Sequence, residues 1–301
     1  MELDNIIGNK EIRNYLLNSV EKNTVSQSYL FNGTEGIGKI LIAKEFAKKI
    51  LCISEKANNC DCKSCKSFDS SNHPDFSLIN ENESTIKIDQ IRDLTSKVIE
   101  QPIISNKKVY IINHADKMTV EAQNCLLKTL EEPPEFAVII LTTSNLNEIL
   151  TTIKSRCMKI NFLDIPKEEL KKYAIEKLEY SQVSNNLLES FNGSIGKALL
   201  QKENQEQFQR IENVVNDLAT KDVIEILNEA KIIYDKENIY KILEYMIVCM
   251  YSKKNENIKY LNCIEIVSNC IERLKRNCNF DMTIDSMFFA MNKCFKGEEC
   301  K

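Results

Sequence analysis

The sequence predicts a doubly wound α/β domain on a parallel sheet, followed by a region made only of helices. Three observations carry this. Short apolar runs at 28–31, 76–79, 108–112, 137–141 and 158–162 alternate with segments of helical period, the pattern of buried parallel strands joined by crossover helices. Three of the seven glycines in 301 residues, Gly33, Gly36 and Gly38, fall within six positions just after the first run. No proline follows Pro166, and apolar residues recur at helical spacing through the second half, as in a helical bundle.

Composition narrows the class. Hydrophobic residues make up 43% and charged residues 28%, as in soluble globular proteins. No apolar run approaches the roughly 18–20 residues that span a bilayer. The start, Met1-Glu2-Leu3-Asp4, lacks the basic-then-apolar layout of a signal peptide. A cytoplasmic location without membrane partners is therefore expected. A formal net charge of −4 argues against strong non-specific DNA binding by the chain as a whole, which needs clustered Lys and Arg.

The first helix is expected over residues 5–23, where Ile6, Ile7, Ile12, Leu16, Leu17 and Val20 share a face. A strand over 28–31 leads into Gly33-Thr34-Glu35-Gly36-Ile37-Gly38-Lys39-Ile40, and a helix runs on from Ile40 to Leu51. Strand, glycine loop and helix are the context of a phosphate loop, whose backbone N–H groups cradle phosphate and whose lysine reaches the terminal phosphates. Gly33, Gly36, Gly38 and Lys39 are the candidate nucleotide-binding residues. The final position should be a hydroxyl for magnesium, but Ile40 cannot ligate a hard cation.

Cys52, Cys60, Cys62 and Cys65 lie within fourteen residues, whereas the other eight cysteines are scattered. Four thiolates can close a tetrahedral zinc site and stabilise a loop too polar to fold alone. Plain reduced thiols are the competing reading. A redox pair at Cys62 and Cys65 is weaker, because the pair is not expected to open a helix after a strand. His73, before Pro74, reads as a turn or hydrogen-bonding histidine and not as a further ligand.

Ser84 is placed as the cap of a helix through Ile88, Ile91, Leu94 and Val98, with Pro102 beyond its end. The strand 108–112 ends in Asn113-His114-Ala115-Asp116. In a nucleotide hydrolase this tip carries an aspartate for the metal and a glutamate that polarises water. Asn113 brings no charge to a cation, and His114 reads as a surface or hydrogen-bonded residue in preference to a base. Asp116 is expected to point elsewhere. A helix over 119–132, with Val120, Cys125, Leu126, Leu127 and Leu130 on its apolar side, stops at Pro133-Pro134. Thr142-Thr143-Ser144 puts hydroxyls at the next strand tip, where a γ-phosphate can be sensed. A short helix then ends near Ser155-Arg156-Cys157, before the strand 158–162.

Beyond Pro166, Leu170, Tyr173, Ala174 and Leu178 mark a helix. Asn186 to Phe191 and Gly193 to Leu199 follow. Helical stripes continue through Phe208, Ile211, Val214, Val215 and Leu218; Val223, Ile224, Ile226, Leu227 and Ala230; Ile239 to Met250; and Leu261 to Leu274. Cys249, Cys263, Cys270, Cys278 and Cys294 read as small hydrophobes.

The run from Lys108 to Pro134, above all Asn124-Cys125-Leu126-Leu127-Lys128-Thr129-Leu130-Glu131-Glu132-Pro133-Pro134, with Ser155-Arg156-Cys157 downstream, resembles bacterial DNA polymerase III clamp-loader subunits of the AAA+ superfamily. The resemblance covers residues 1 to about 200. Within that family the degenerate loop and strand tip resemble the delta-prime branch more than the ATP-hydrolysing gamma/tau branch. It implies a RecA-like AAA+ domain over 1–163 with a zinc module inserted at 52–65, a helical lid over 164–204, and an all-α collar over 205–301 that joins a ring of five subunits. It implies that Cys52, Cys60, Cys62 and Cys65 hold zinc, although the first two gaps are each one residue shorter than the family's. It implies that Arg156 is an arginine finger serving a neighbouring subunit's ATP site, against the plain alternative of a salt-bridged surface arginine. The sensor-two arginine of the hydrolysing relatives aligns with Gly196, beside Lys197.

The expectation is a clamp-loader subunit without ATPase activity of its own, a component of the DNA polymerase III holoenzyme. Its implied partners are gamma/tau-like and delta-like subunits, the sliding clamp and primer–template DNA. Whether the loop still binds ATP stays open. The alternatives are an active gamma/tau-type ATPase and a zinc-containing DNA-binding regulator.

Overall fold

The computed structural model describes residues 7–54, 60–80, 85–180, 183–203, 205–229, 236 and 238–296. They divide into two compact units, the first from Met1–Glu169 with Gly193–Gly196, the second from Leu170–Asn192 with Lys197–Lys301.

The first unit is a five-stranded parallel sheet in the order β2-β3-β4-β1-β5. Its strands are β1 (Ser28–Asn32), β2 (Phe76–Ile79), β3 (Lys108–Ile112), β4 (Ala137–Thr143) and β5 (Met158–Asn161). β1, β3 and β4 are apolar runs because both faces are covered, as parallel sheets require. Tyr29, Phe31, Val109, Ile111, Val138 and Ile140 pack on one face with Leu16 of α1 (Lys10–Glu21) and Ile42, Phe46 and Leu51 of α2 (Lys39–Leu51). Leu30, Tyr110, Ile112, Ile139 and Leu141 pack on the other with α4 (Ile88–Val98), α5 (Val120–Glu131) and α6 (Thr151–Lys154). β1 lies between β4 and β5, so the glycine loop leaves the sheet beside the tips of β4 and β3. That is the end where ligands bind in such sheets.

Several expectations are corrected in detail. α1 starts at Lys10 because Gly8 and Asn9 are left-handed, with φ of 72° and 51°; Ile6 lies outside the described residues. Ser84 also lies outside them, and α4 is instead opened by Gln90, whose Oε1 accepts from the Lys87 N–H at 3.0 Å. A helix the sequence did not announce, α3 (Lys63–Asp69), follows Cys62, whose sulfur accepts from the Cys65 N–H. The Cys62–Cys65 pair therefore does open a helix, though after a loop and not after a strand. Val120 is 57% exposed, on the solvent side of α5.

The second unit is helical among its described residues. α8 (Asn185–Phe191) and α10 (Gln205–Asp217) pack against α12 (Ile239–Ser252). α13 (Lys259–Lys275) packs between α12 and α14 (Phe280–Lys296), and α11 (Val223–Glu229) lies against α14. α7 (Lys167–Glu176) and α9 (Ile195–Glu203) span the division between the units. Glu212 joins three of these helices: its carboxylate accepts from Ser184, the cap of α8, at 3.1 Å and from the Tyr245 hydroxyl of α12. Phe208, Ile211, Ile242 and Met246 are buried as the stripes predict. Ile224 is 65% exposed, Ala230 lies outside the described residues, and Cys278 is exposed and so packs as no core hydrophobe. No helix among the described residues is long and apolar enough to cross a membrane.

Candidate functional site

The loop after β1 keeps the backbone of a phosphate loop. Gly36 and Gly38 take φ of 75° and 93°, conformations that L side chains avoid. Gly38 caps α2, so the orphan N–H groups of the helix open onto the loop. The side chains have other occupations. Lys39 is buried, and its ammonium donates to the loop carbonyls of Gly33 at 2.6 Å and Thr34 at 2.8 Å. Burial lowers it to about 8, while the carboxylates of Asp116 and Glu35 pull the other way. Ile40, at the place of a magnesium-holding hydroxyl, is partly buried and packs against the core on this face of the sheet.

The segment Gly193–Gly196 lies against this loop. The Gly196 N–H donates to the Gly36 carbonyl at 2.9 Å, and the Ile165 N–H to the Gly193 carbonyl at 3.0 Å. A Cβ on Gly36 would lie 2.3 Å from Ser194 Oγ and 3.0 Å from Gly196 Cα. Gly196 thus meets the loop through its backbone.

The strand tips are closed on themselves. Asn113 is buried, and its Oδ1 accepts from the Thr142 hydroxyl at 2.8 Å. Thr142 Oγ1 in turn accepts from the His114 N–H at 3.1 Å. His114 is left-handed, with φ of 50°. Asp116 does not point away from the site as expected. Its carboxylate accepts from the Thr143 hydroxyl at 2.8 Å and the Ser144 N–H at 3.1 Å, and it acts on Lys39 through space. The Thr142 and Thr143 hydroxyls, two of the three that could sense a phosphate, bond to Asn113 and Asp116.

Arg156 follows α6 and is partly exposed. It donates through Nη1 to the Thr152 carbonyl at 2.8 Å and pairs through Nη2 with Glu131 at the end of α5.

The four cysteines converge. The sulfurs of Cys52, Cys60, Cys62 and Cys65 all lie within 4.8 Å of one another, close to the roughly 3.8 Å that Zn–S bonds of 2.3 Å impose on a tetrahedron. Burial opposes a thiolate at Cys62, but the N–H groups of Cys65 and Ile53 outweigh it and bring the thiol down to about 6. Burial raises Cys52 and Cys65. An S₄ donor set suits a soft-tolerant divalent ion, and the cluster could hold a metal. His73 stays outside it. It is buried, with Nε2 at 2.8 Å from Ser64 Oγ and Nδ1 accepting from the Asp75 N–H at 3.0 Å. Asp75, which drew no attention in the sequence, receives the N–H groups of Ile103, Ile104 and Ser105 at 2.7–2.8 Å. Only its place next to His73-Pro74, before a strand, could have pointed to it.

The family profile described as DNA polymerase III, delta subunit, matches residues 8–166. The delta' subunit of DNA polymerase III from Bacillus subtilis (strain 168) is 36% identical over 192 residues, 64% of this chain and 58% of that protein. The tau/gamma subunit from Haemophilus influenzae is 32% identical over 170 residues, 56% of this chain and 25% of that protein. The matched part thus spans less than two thirds of these relatives. A crystal structure of a DNA polymerase III gamma subunit-related protein from Thermotoga maritima shares the fold, with a TM-score of 0.53 at 19% identity over 94% of this chain and 99% of that one.

Proposed function

The chain belongs to the DNA polymerase III, delta subunit family, and from that premise we propose that it is a structural clamp-loader subunit that does not hydrolyse ATP. One observation carries the reading: Asn113, at the position for the metal-binding aspartate, is buried and held by Thr142, while the apolar Ile40 is partly buried against the core. Metal binding and water activation need charged or hydroxyl groups at those two places. Lys39 and the glycines remain, which keeps a gamma/tau-type ATPase in view. The Lys39 ammonium, however, is bonded to the loop's own carbonyls.

In this reading the work is done by assembly. The helices beyond Gln205 form a collar with gamma/tau-like and delta-like subunits, and residues 164–204 form a lid that packs as structure. The ring presents the sliding clamp to primer–template DNA in the cytoplasm. Arg156 acts in a neighbour's site, where a planar guanidinium stabilises charge gathering on the γ-phosphoryl group. To reach it, Arg156 lets go of Glu131. Cys52, Cys60, Cys62 and Cys65 hold zinc, which supplies cross-linking of a polar loop and no catalysis.

The test is ATP turnover by the purified chain and by the complex rebuilt with gamma/tau-like and delta-like subunits. The chain alone should show none above background, and the complex should need it for clamp loading. Single-turnover hydrolysis by the chain alone, abolished by Lys39→Ala, would establish the ATPase reading instead.

A further inference from the structure

We propose that His73 is a positioning residue for the four-cysteine site, acting through Ser64, Ser105 and the Leu51 carbonyl; the proposal rests on the reading of those cysteines as metal ligands. The Ser64 and Ser105 hydroxyls both donate to the Leu51 carbonyl at 2.6 Å. This is the last carbonyl of α2, one of the orphan acceptors of a helix C-terminus. His73 Nδ1 already accepts from the Asp75 N–H, so a neutral imidazole carries its proton on Nε2 and donates it to Ser64 Oγ. Asp75 closes the network by receiving the 103–105 backbone that leads to β3. Ser64, His73, Asp75 and Ser105 are all buried, where an unmade hydrogen bond is costly.

The placement ties this network to the sulfurs. Leu51 directly precedes Cys52, and Ser64 directly precedes Cys65. Two ligands, Cys52 just past α2 and Cys65 in α3, are therefore set by one imidazole that lies just before β2. Two more contacts hold α3 in the same place: Lys48 pairs with Asp69 at 2.6 Å, and Phe68 packs against Phe76 with tilted rings whose centroids are 4.6 Å apart. Cys62 is held separately, as the cap of α3 whose sulfur accepts from the Cys65 N–H, and Cys60 accepts from the Cys62 N–H. The hub takes up on the protein side part of the ordering that metal binding would otherwise have to supply. Groups behind a metal's ligands commonly change affinity 10–100-fold.

The experiment uses the full chain and measures zinc affinity by competition with a chromogenic chelator, with the cobalt(II) d–d absorption spectrum as a second readout. Ser64→Ala and His73→Phe should bind zinc 10–100-fold more weakly and broaden the cobalt bands. His73→Gln, which restores a donor near Nε2, should return affinity to within about threefold of wild type. Wild-type affinity and spectrum in folded Ser64→Ala protein would overturn the proposal, whatever happens to the folding of His73→Phe. Equal weakening in His73→Phe and His73→Gln would also overturn it, since loss of packing and not of the hydrogen bond would then be the cause. A wild-type chain that takes up no zinc or cobalt overturns the metal reading itself, and is recognised by zero stoichiometry before any variant is compared.

Discussion

Arg156 pairs with Glu131 across 25 residues of sequence, joining the segment after α6 to the end of α5. Both side chains are substantially exposed, at 31% and 48%, and such a pair contributes about 0–1 kcal/mol. The guanidinium can therefore leave Glu131 at little cost. Arg156→Ala should lower ATP turnover in the reassembled complex, by a factor on the order of 10³ at the site it serves. Glu131→Gln should leave turnover at or above wild type and change stability by less than about 1 kcal/mol. Steady-state ATPase of the complex with each variant decides it, and normal turnover with Arg156→Ala would remove the finger.

Lys39 gives the opposite expectation. Lys39→Ala should leave the complex's ATPase unchanged and cost roughly 1–3 kcal/mol in urea unfolding, because the Gly33 and Thr34 carbonyls lose their partner. Its pH signature has a definite sign. Lys39 is lowered to about 8 by burial, against about 10.4 when unfolded, so between those values the unfolded chain binds more protons than the folded one. Stability from this group therefore rises with pH across that window and is flat below it. Lys39→Met should abolish that rise, read as the difference between the two proteins' unfolding free energies.

Asp75 controls the acid side. Burial works against its carboxylate, but the three N–H groups from Ser105, Ile103 and Ile104 outweigh burial and, with His73 nearby, hold it below the usual range. Its stabilising share is complete above the ordinary value of about 3.9 and is lost as pH falls through the lower folded value. Asp75→Asn would turn an amide N–H₂ toward those donors, costing roughly 3 kcal/mol at neutral pH and flattening the acid limb below pH 4. Thermal unfolding from pH 3 to 7 checks both.

What the sequence disclosed follows from the range of the forces involved. β3 and β4 were legible because burial on both faces makes them apolar along their length, with polar residues only at the ends, Lys108 and Thr142-Thr143. The glycine loop was legible because left-handed backbone at Gly36 and Gly38 disfavours every other residue. The Asn113–Thr142 pair, the Asp116–Thr143 contact and the His73–Ser64–Ser105 hub join residues that are far apart in sequence. Nothing local announces which polar group will be buried with which. α3 escaped notice for another reason: its seven residues are too few to show a period, and its stability comes from Phe68 against β2 and Lys48 against Asp69.

Metal removal should be selective. Chelation of the full chain, or Cys65→Ser, should loosen the segment around α3 while leaving the sheet intact, since the core on both faces of β1, β3 and β4 does not include the cluster. Hydrogen exchange should show lost protection confined to residues 60–72, with protection in β1, β3 and β4 unchanged. Global unfolding on chelation would make the cluster part of the core, and no change at all would mean that the cysteines bind nothing.

Gly36 and Gly38 separate two reasons for a loop to need glycine. At Gly38 an added Cβ meets nothing within 4 Å, so only φ of 93° opposes a side chain, and Gly38→Ala should cost about 1–2 kcal/mol. At Gly36 the same strain is joined by Ser194 Oγ at 2.3 Å and Gly196 Cα at 3.0 Å. Ser194 Oγ must move aside and the Gly196 backbone must give by a few tenths of an ångström, so Gly36→Ala strains the Gly196–Gly36 hydrogen bond. Gly36→Ala should therefore exceed Gly38→Ala in cost by at least about 1 kcal/mol, and adding Ser194→Ala should recover only part of it. Denaturant unfolding of the three variants tests this. Equal costs at Gly36 and Gly38 would mean that the segment leaves the loop freely, which would reopen the loop to nucleotide.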